Sequence, residues 1–163
     1  MPEAGGKIEV PVSQEEAWDF AADVRNAPRW VFGVRGVAGD VRHPLLPGDH
    51  LRVRLLAGGR VADSEWTVGS CERPRLLTSH GHALGATGTL EIECTALGKQ
   101  RTEVSYRLAY ELPGGPLGAL AARFGVRGII EVQVKHSLST LRQLLAASTE
   151  VERPFAQLET DES

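Results

Sequence analysis

The sequence predicts an α+β fold in which a seven-stranded antiparallel sheet packs against one long C-terminal helix. Three observations support this fold class. Apolar and polar residues alternate in many short runs, connectors of hairpin length separate these runs, and the C-terminal part carries apolar residues at helical spacing. Such short connectors join antiparallel neighbours, because a crossover between parallel strands takes about a dozen residues or more.

One strand and two short helices are predicted at the start of the chain. Residues 7–12 alternate polar and apolar side chains, as a half-buried strand does. Ser13 and Glu16 then form an S-x-x-E capping box, which predicts the start of a helix. Pro28 favours a break, and a second short helix is expected over residues 27–32.

Six further strands complete the predicted sheet. Segments that contain Gly or Pro separate them. The alternation is clearest in the last strand, where Val104, Tyr106, Leu108 and Tyr110 share one face. The six predicted strands are residues 34–42, 51–57, 61–72, 76–83, 87–97 and 102–112.

The long helix is predicted from about Pro116 to Ser148. Its apolar residues recur at steps of three and four, so one of its faces is suited to cover the sheet. Gly125 and Gly128 weaken its first half by about 1 kcal/mol each relative to alanine. A kink or a loosened turn is therefore expected in that half.

Length and charge indicate one soluble domain. The 163 residues suit a single domain over residues 7–148, with flexible tails at residues 1–6 and 149–163. A net charge of −3 argues against a nucleic-acid partner. The N-terminus lacks an apolar signal segment, and no stretch approaches the ~20 apolar residues of a membrane span. We therefore expect a cytoplasmic protein without integral membrane association, and the sequence carries no signal of its oligomeric state.

Metal and cofactor sites have no support in the sequence. The five histidines do not fall at the spacing of a zinc site, and Cys71 and Cys94 do not form a C-x-x-C pair. The motifs G-x-S-x-G, H-E-x-x-H and G-x-G-x-x-G and the P-loop do not occur. We therefore expect neither a metal nor a cofactor.

An ordered set of segments resembles a known family. The set comprises I-E-V-P-V-S-Q-E-E-A-W-D-F, N-A-P-R-W, W-T-V followed by E-R-P-R-L-L, T-E-V-S-Y-R-L-A-Y-E-L-P-G-G-P-L-G, and S-L-S-T-L-R-Q-L-L. This order is similar to the polyketide cyclase/dehydrase branch of the SRPBCC (START-like, helix-grip) superfamily. The resemblance implies a curved sheet around the long helix, with a cavity for an apolar molecule between them. Members of this superfamily cyclise polyketides, carry lipids or hormones, protect against reactive natural products or act as co-chaperones.

Bulky side chains are the candidates for the lining of that cavity. Five aromatic residues have a strand or helix phase that could point inward, and the alternative is that they simply fill the core. Three apolar residues of the long helix would face them. The candidate ligand-binding residues are Trp30, Phe32, Trp66, Tyr106, Tyr110, Ile130, Val134 and Leu138.

Polar candidates for proton transfer are few, and each has a structural alternative. Arg54 could turn inward to hold an oxyanion, or it could pair with an acidic residue of the next strand on the solvent side. His80 and His82 share one face of a strand, as acid–base groups of a pocket or as half-exposed histidines. Ser64 and Tyr106 complete the set of weak catalytic candidates.

Two functions are favoured at this point, and a third, a co-chaperone or interaction module, has the least support because no contiguous exposed apolar stripe stands out. The first is binding of a hydrophobic polyketide- or lipid-like molecule by a cofactor-free cyclase or dehydratase, whose cavity would fold a flexible chain into a reactive shape. The second is a non-catalytic carrier, or a protein that sequesters a hydrophobic natural product for self-resistance. An enzyme would hold a polar group deep in the pocket, whereas a carrier would have an almost wholly apolar lining.

Overall fold

The computed structural model describes residues 3–39, 41–57, 59–83, 85–112, 114–116, 119 and 125–160. A short 3-10 turn at Val24–Asn26 precedes the second helix. In chain order the strands and helices are β1 (Glu3–Val10), α1 (Gln14–Ala21), α2 (Ala27–Trp30), β2 (Val34–Val37), β3 (His50–Ala57), β4 (Arg60–Glu72), β5 (Leu76–Ala83), β6 (Ala86–Gly98), β7 (Arg101–Glu111) and α3 (Val126–Thr160).

The strands form one antiparallel sheet of seven, in the order β1-β7-β6-β5-β4-β3-β2. Each strand from β2 to β6 pairs with the next strand in sequence, and β1 joins the other edge by pairing with β7. The sheet curls into a half-barrel around α3, with the two short helices after β1. The predicted helix-grip fold is confirmed.

Helix α3 lies on the concave face of the sheet. Its residues Val134, Leu138, Leu141 and Leu145 are buried at steps of three and four, and its strand contacts fall mainly on β1. A Cβ atom at Gly6 would lie 3.1 Å from Leu138 Cδ1, so glycine lets the helix approach this strand closely. Helix and strand therefore form one tightly packed side of the molecule.

The N-cap predicted at Ser13 for α1 is confirmed. The Ser13 side chain accepts a hydrogen bond from the Glu16 N–H group at 3.2 Å. The helix then buries Ala17, Trp18 and Ala21 against the core. This cap fixes where the chain leaves β1 and turns across the sheet.

Strand β1 begins and ends earlier than predicted. It starts at Glu3, so it includes residues 3–6, which the sequence assigned to a flexible tail, and it stops at Val10. Gly5 and Gly6 pair with Arg107 and Tyr106 of β7. Glycine carries no side chain to show alternation, so hydropathy alone missed this part of the strand.

The segments α2 and β2 are shorter than predicted, whereas β3 to β7 agree with prediction to within one residue at each end. Helix α2 ends at Trp30 because Val31 is already extended, with φ −79° and ψ 113°. Strand β2 stops at Val37, before Gly39 at φ 78° turns the chain away. The backbone conformation of a single residue ends each segment, and the hydropathy pattern of the sequence does not show it.

Helix α3 runs from Val126 to Thr160 rather than from Pro116 to Ser148. Gly125 precedes it with φ 74°, a left-handed conformation that interrupts a right-handed helix. Residues 117–118 and 120–124, in the first half of the predicted helix, lie outside the described residues. At the other end the helix continues beyond Ser148 to Thr160, through residues that the sequence assigned to a flexible tail. None of the helices among the described residues has the length and apolar character needed to cross a membrane.

Candidate functional site

The concave face of the sheet is divided into a filled end and an open end. At the filled end, Leu77, Ile92 and Tyr106 lie in one cross-strand row that reaches Gly6 under α3, and all three are buried. At the open end, Gly81 and Gly88 occupy the inward positions of β5 and β6 that correspond to Leu77 and Ile92. Two rows of cross-strand partners form this end. The first row is Leu51, Trp66, Gly81, Gly88 and Tyr110, and the second row, beside it, is Val53 and Ser64.

Trp66 lies across the open end as an aromatic shelf. A Cβ atom at Gly81 would overlap Trp66 Cδ2, and one at Gly88 would lie 3.7 Å from Trp66 Cη2. The indole of β4 therefore covers the backbones of β5 and β6, and at position 81 only glycine permits this approach. Trp66 is partly exposed and is not part of the main buried cluster of the core.

Ser64 holds the indole in this orientation. Trp66 Nε1 donates to Ser64 Oγ at 2.9 Å, and Ser64 Oγ donates to the Val53 carbonyl oxygen at 2.8 Å. The hydroxyl is buried and its single proton is already committed. The arrangement therefore suits Ser64 to position Trp66 rather than to transfer a proton.

A second aromatic pair, Trp30 and Tyr106, lies at the filled end. Their rings meet edge to face at 5.8 Å between centroids, and both residues are buried. Among the described residues, Trp30 Nε1 is the buried side-chain nitrogen or oxygen that has no hydrogen-bond partner. Burial raises the pKa of the Tyr106 phenol to about 12, so this group stays neutral at physiological pH.

Phe32 connects the segment after α2 to α3 through its backbone. Its N–H group donates to Ser137 Oγ at 2.8 Å, and its carbonyl oxygen accepts from Gln133 Nε2 at 2.8 Å. The Phe32 ring is 52% exposed and packs edge to face against His136. This pair of bonds, the Phe32 clamp, holds the short helix that carries Trp30.

The remaining predicted lining residues lie on the concave side. Tyr110 is buried beside the glycines of the open end, as the cross-strand partner of Gly88. Val134 and Leu138 are buried in the same apolar cluster as Trp30 and Tyr106, and Ile130 packs against that cluster. Seven of the eight predicted residues thus lie at one or the other end of the concave face, and the eighth, Phe32, is exposed.

Three of the polar candidates lie on the opposite, convex face. Arg54 is exposed and pairs with Asp63 at 3.5 Å, and the neighbouring Arg52 pairs with Glu65 at 3.2 Å, which confirms the solvent-side ion pairs. His80 and His82 are exposed beside a shallow groove. Within the part of the chain that the structure describes, no three His, Cys, Asp or Glu side chains converge as metal ligands do.

Sequence reasoning missed the glycines and the clamp. Gly81 and Gly88 interrupt strands that otherwise alternate, and such glycines mark close approach by another group. This signal was available, but their position opposite Trp66 depends on strand register. Gln133 and Ser137 gave no signal, because they act on a backbone more than 100 residues away in sequence, at separations of 101 and 105.

Comparisons with known proteins agree with this architecture. Residues 1–145 match the family described as polyketide cyclase / dehydrase and lipid transport. No curated protein matches the sequence.

Solved structures with the same fold are distant in sequence. A conserved protein from Geobacillus kaustophilus is 19% identical, with a TM-score of 0.68 over 90% of this chain and 97% of that one. The Zhui aromatase/cyclase from a Streptomyces strain is 14% identical, with a TM-score of 0.70 over 88% and 93%. A START superfamily protein from Mycobacterium smegmatis is 16% identical, with a TM-score of 0.57 over 82% and 96%.

Proposed function

Because the chain belongs to the polyketide cyclase / dehydrase and lipid transport family, we propose that it binds a polyketide- or lipid-like molecule at the open end of the concave face. One observation carries the proposal. Trp66 faces inward, stays partly exposed and lies over two glycines, where a purely structural sheet would place bulky apolar residues. An inward-facing aromatic surface that is not covered by the core is a suitable platform for an apolar ligand.

The proposed site uses the predicted lining residues in two groups. Trp66 and Tyr110 flank the glycine row and contact the ligand at the open end. Trp30 and Tyr106 border its inner end, next to the buried Val134 and Leu138 of α3. Ile130 and Phe32 lie on the helix side, where Phe32 is exposed at the entrance.

Holding the ligand is favoured over transforming it. Arg54, His80 and His82 lie on the convex face, and the Ser64 proton is committed to a backbone carbonyl. A carrier or sequestering protein needs no catalytic groups beyond the side chains that bind the ligand. A cofactor-free cyclase or dehydratase is the second candidate, supported by Tyr106, whose neutral phenol lies inside the apolar cluster and can donate a hydrogen bond to a reacting carbonyl oxygen.

Binding of the neutral dye Nile red tests the proposal. We expect a blue-shifted, brighter emission and a Kd of about micromolar, because the dye enters an apolar site. Gly88→Val fills the glycine row, where a Cβ meets only ordinary contacts of 3.4 Å or more, and should weaken binding about tenfold or more. Gly98→Val makes the same change at the far end of β6 and should leave the Kd unchanged.

Two results would refute the proposal. One is a wild-type protein that does not change the emission of Nile red. The other is a folded Gly88→Val variant, with an unchanged urea midpoint, that binds the dye as tightly as the wild type. To separate the two candidate functions, a linear polyketide thioester would be incubated with the protein and with Tyr106→Phe. Cyclised product that disappears in the variant supports an enzyme, and binding without any product supports a carrier.

A further inference from the structure

The Trp30 indole combines burial with an unused hydrogen-bond donor. The residue is 2% exposed, and its Nε1–H group has no hydrogen-bond partner among the residues that the structure describes. A buried donor without an acceptor destabilises a fold by about 1–3 kcal/mol, so nearly all such groups in proteins are paired. Trp66 shows the usual arrangement in the same molecule, since its Nε1–H group donates to Ser64. Trp30 is the exception, because the described part of the chain supplies no acceptor for its indole N–H group.

The position of Trp30 suits contact with a ligand of the proposed site. Tyr106, whose ring it touches, lies on the same strand and the same face as Tyr110, four residues along. That separation corresponds to about 13 Å at the usual rise of a strand. A molecule of two or three fused rings that enters at the open end therefore has its inner end at the Trp30–Tyr106 pair.

The surroundings of Trp30 favour a neutral acceptor. Trp30 packs against Tyr106 and belongs to a buried apolar cluster that also contains Val134 and Leu138. The raised pKa of Tyr106 reflects the same lack of solvation for charge. A carboxylate here would lose its hydration without gaining a cation, whereas a ketone oxygen loses little and gains a hydrogen bond.

We infer that Trp30 Nε1–H donates a hydrogen bond to a neutral carbonyl oxygen at the inner end of the ligand, which makes the preferred ligand an aryl or polycyclic ketone rather than a pure hydrocarbon or a fatty-acid anion. The inference rests on the proposed binding function and adds a specificity-determining residue to it. Helix α2 is a single turn held by the Phe32 clamp, which fixes the position from which the indole would donate.

A pair of isosteric probes tests this hydrogen bond. 2-Acetylnaphthalene carries a terminal ketone, and 2-isopropenylnaphthalene replaces its oxygen by a CH₂ group. Displacement of Nile red gives the Kd of each, and the ratio of the two values measures the preference for the ketone. We expect this preference to fall about fivefold to tenfold in Trp30→Phe, which keeps an aromatic ring and removes the donor. Trp18→Phe, a buried tryptophan of α1, should keep the wild-type ratio.

The outcomes separate this inference from the proposed function. If Nile red binds and the ratio is the same in the wild type and in Trp30→Phe, the inference is overturned and the binding function stands. If Nile red does not bind the wild type, both fail. Should Trp30→Phe not fold, nitrogen-15 NMR of the wild type decides, with the Trp30 indole signal assigned by elimination through Trp18→Phe and Trp66→Phe. A downfield shift of that indole proton with the ketone but not with the alkene supports the hydrogen bond, and no shift with the ketone overturns it.

Discussion

The two ends of the concave face are built from the same strands and differ in what points inward. At the filled end Leu77, Ile92 and Tyr106 meet the residues of α3, and a glycine in β1 allows the helix to come close. At the open end the same strands β5 and β6 present Gly81 and Gly88, and Trp66 occupies the space above them. The filled end is thus closely packed, whereas at the open end Trp66 stays partly exposed.

This division implies that substitutions at the two ends should affect different measurements. Changes at the filled end should mainly lower the free energy of unfolding, because they remove buried apolar contacts. Changes at the open end should mainly alter the affinity for an apolar probe. The predictions below run from the largest expected effect to the smallest.

Leu141→Ala should produce the largest loss of stability. Leu141 is fully buried on α3, and its truncation leaves a cavity in the filled end. We expect a decrease of about 2–5 kcal/mol in the free energy of unfolding, measured by urea denaturation. Leu97→Ala, at a residue that is 42% exposed, should change it by less than about 0.5 kcal/mol. A loss below about 1 kcal/mol for Leu141→Ala would mean that this end is not tightly packed.

Alkaline pH should destabilise the filled end through Tyr106. Burial raises the pKa of its phenol from 10.0 to about 12, so between these values the unfolded chain releases a proton that the folded chain retains. Stability is therefore fully present below pH 10 and falls by up to about 3 kcal/mol as the pH rises to 12.

Urea denaturation at pH 9 and at pH 11.5 measures this loss, and Tyr106→Phe isolates it. Burial also raises the pKa of the Cys94 thiol to about 12, so part of the alkaline loss will remain in the variant. If Tyr106→Phe and the wild type lose the same stability, the phenol is not buried as described.

Gly81→Ala should disturb the open end. The added Cβ would overlap Trp66 and would lie 2.6 Å from the Glu65 carbonyl oxygen, so backbone as well as side chain must shift. We expect a loss of about 1–3 kcal/mol together with weaker binding of Nile red. Gly36→Ala in β2 is the matched control, because no atom lies within 4 Å of its Cβ position. Equal behaviour of the two variants would contradict the Trp66 shelf.

Ser64→Ala should have the smallest effect on stability and a clear effect on the site. It removes the acceptor of Trp66 Nε1 and the donor to Val53 O, at a cost of about 1–2 kcal/mol. The freed indole should bind Nile red more weakly and emit at longer wavelength. Ser105→Ala, in β7, serves as the control on stability and affinity. Unchanged affinity in Ser64→Ala would show that the orientation of Trp66 is set by the glycines alone.

The sequence predicts the strands well and the site only in part. Residues 76–83 were predicted as a strand and form β5, because alternation between Gly- and Pro-containing connectors is a local signal. The start of α3 was placed too early, since one residue at positive φ, Gly125, decides it. The alternation of side chains along a strand predicts that Trp66 and Tyr106 point inward, and both lie on the concave face. The pairing of Trp66 with Gly81, and the missing partner of Trp30, depend on register and on packing between distant segments.

The pairing of β1 with β7 also constrains the order in which the chain assembles. Beside this strand pair, Thr102 Oγ1 donates to the Val12 carbonyl oxygen across 90 residues of sequence. Closing a loop of that length costs more conformational entropy than forming the successive hairpins from β3 to β7. It is therefore the slower step. During synthesis Val10 and its neighbours therefore wait without a partner until β7 has left the ribosome. Unpaired strands of partly folded chains are prone to aggregate, so we expect β1 to be exposed to aggregation during this interval.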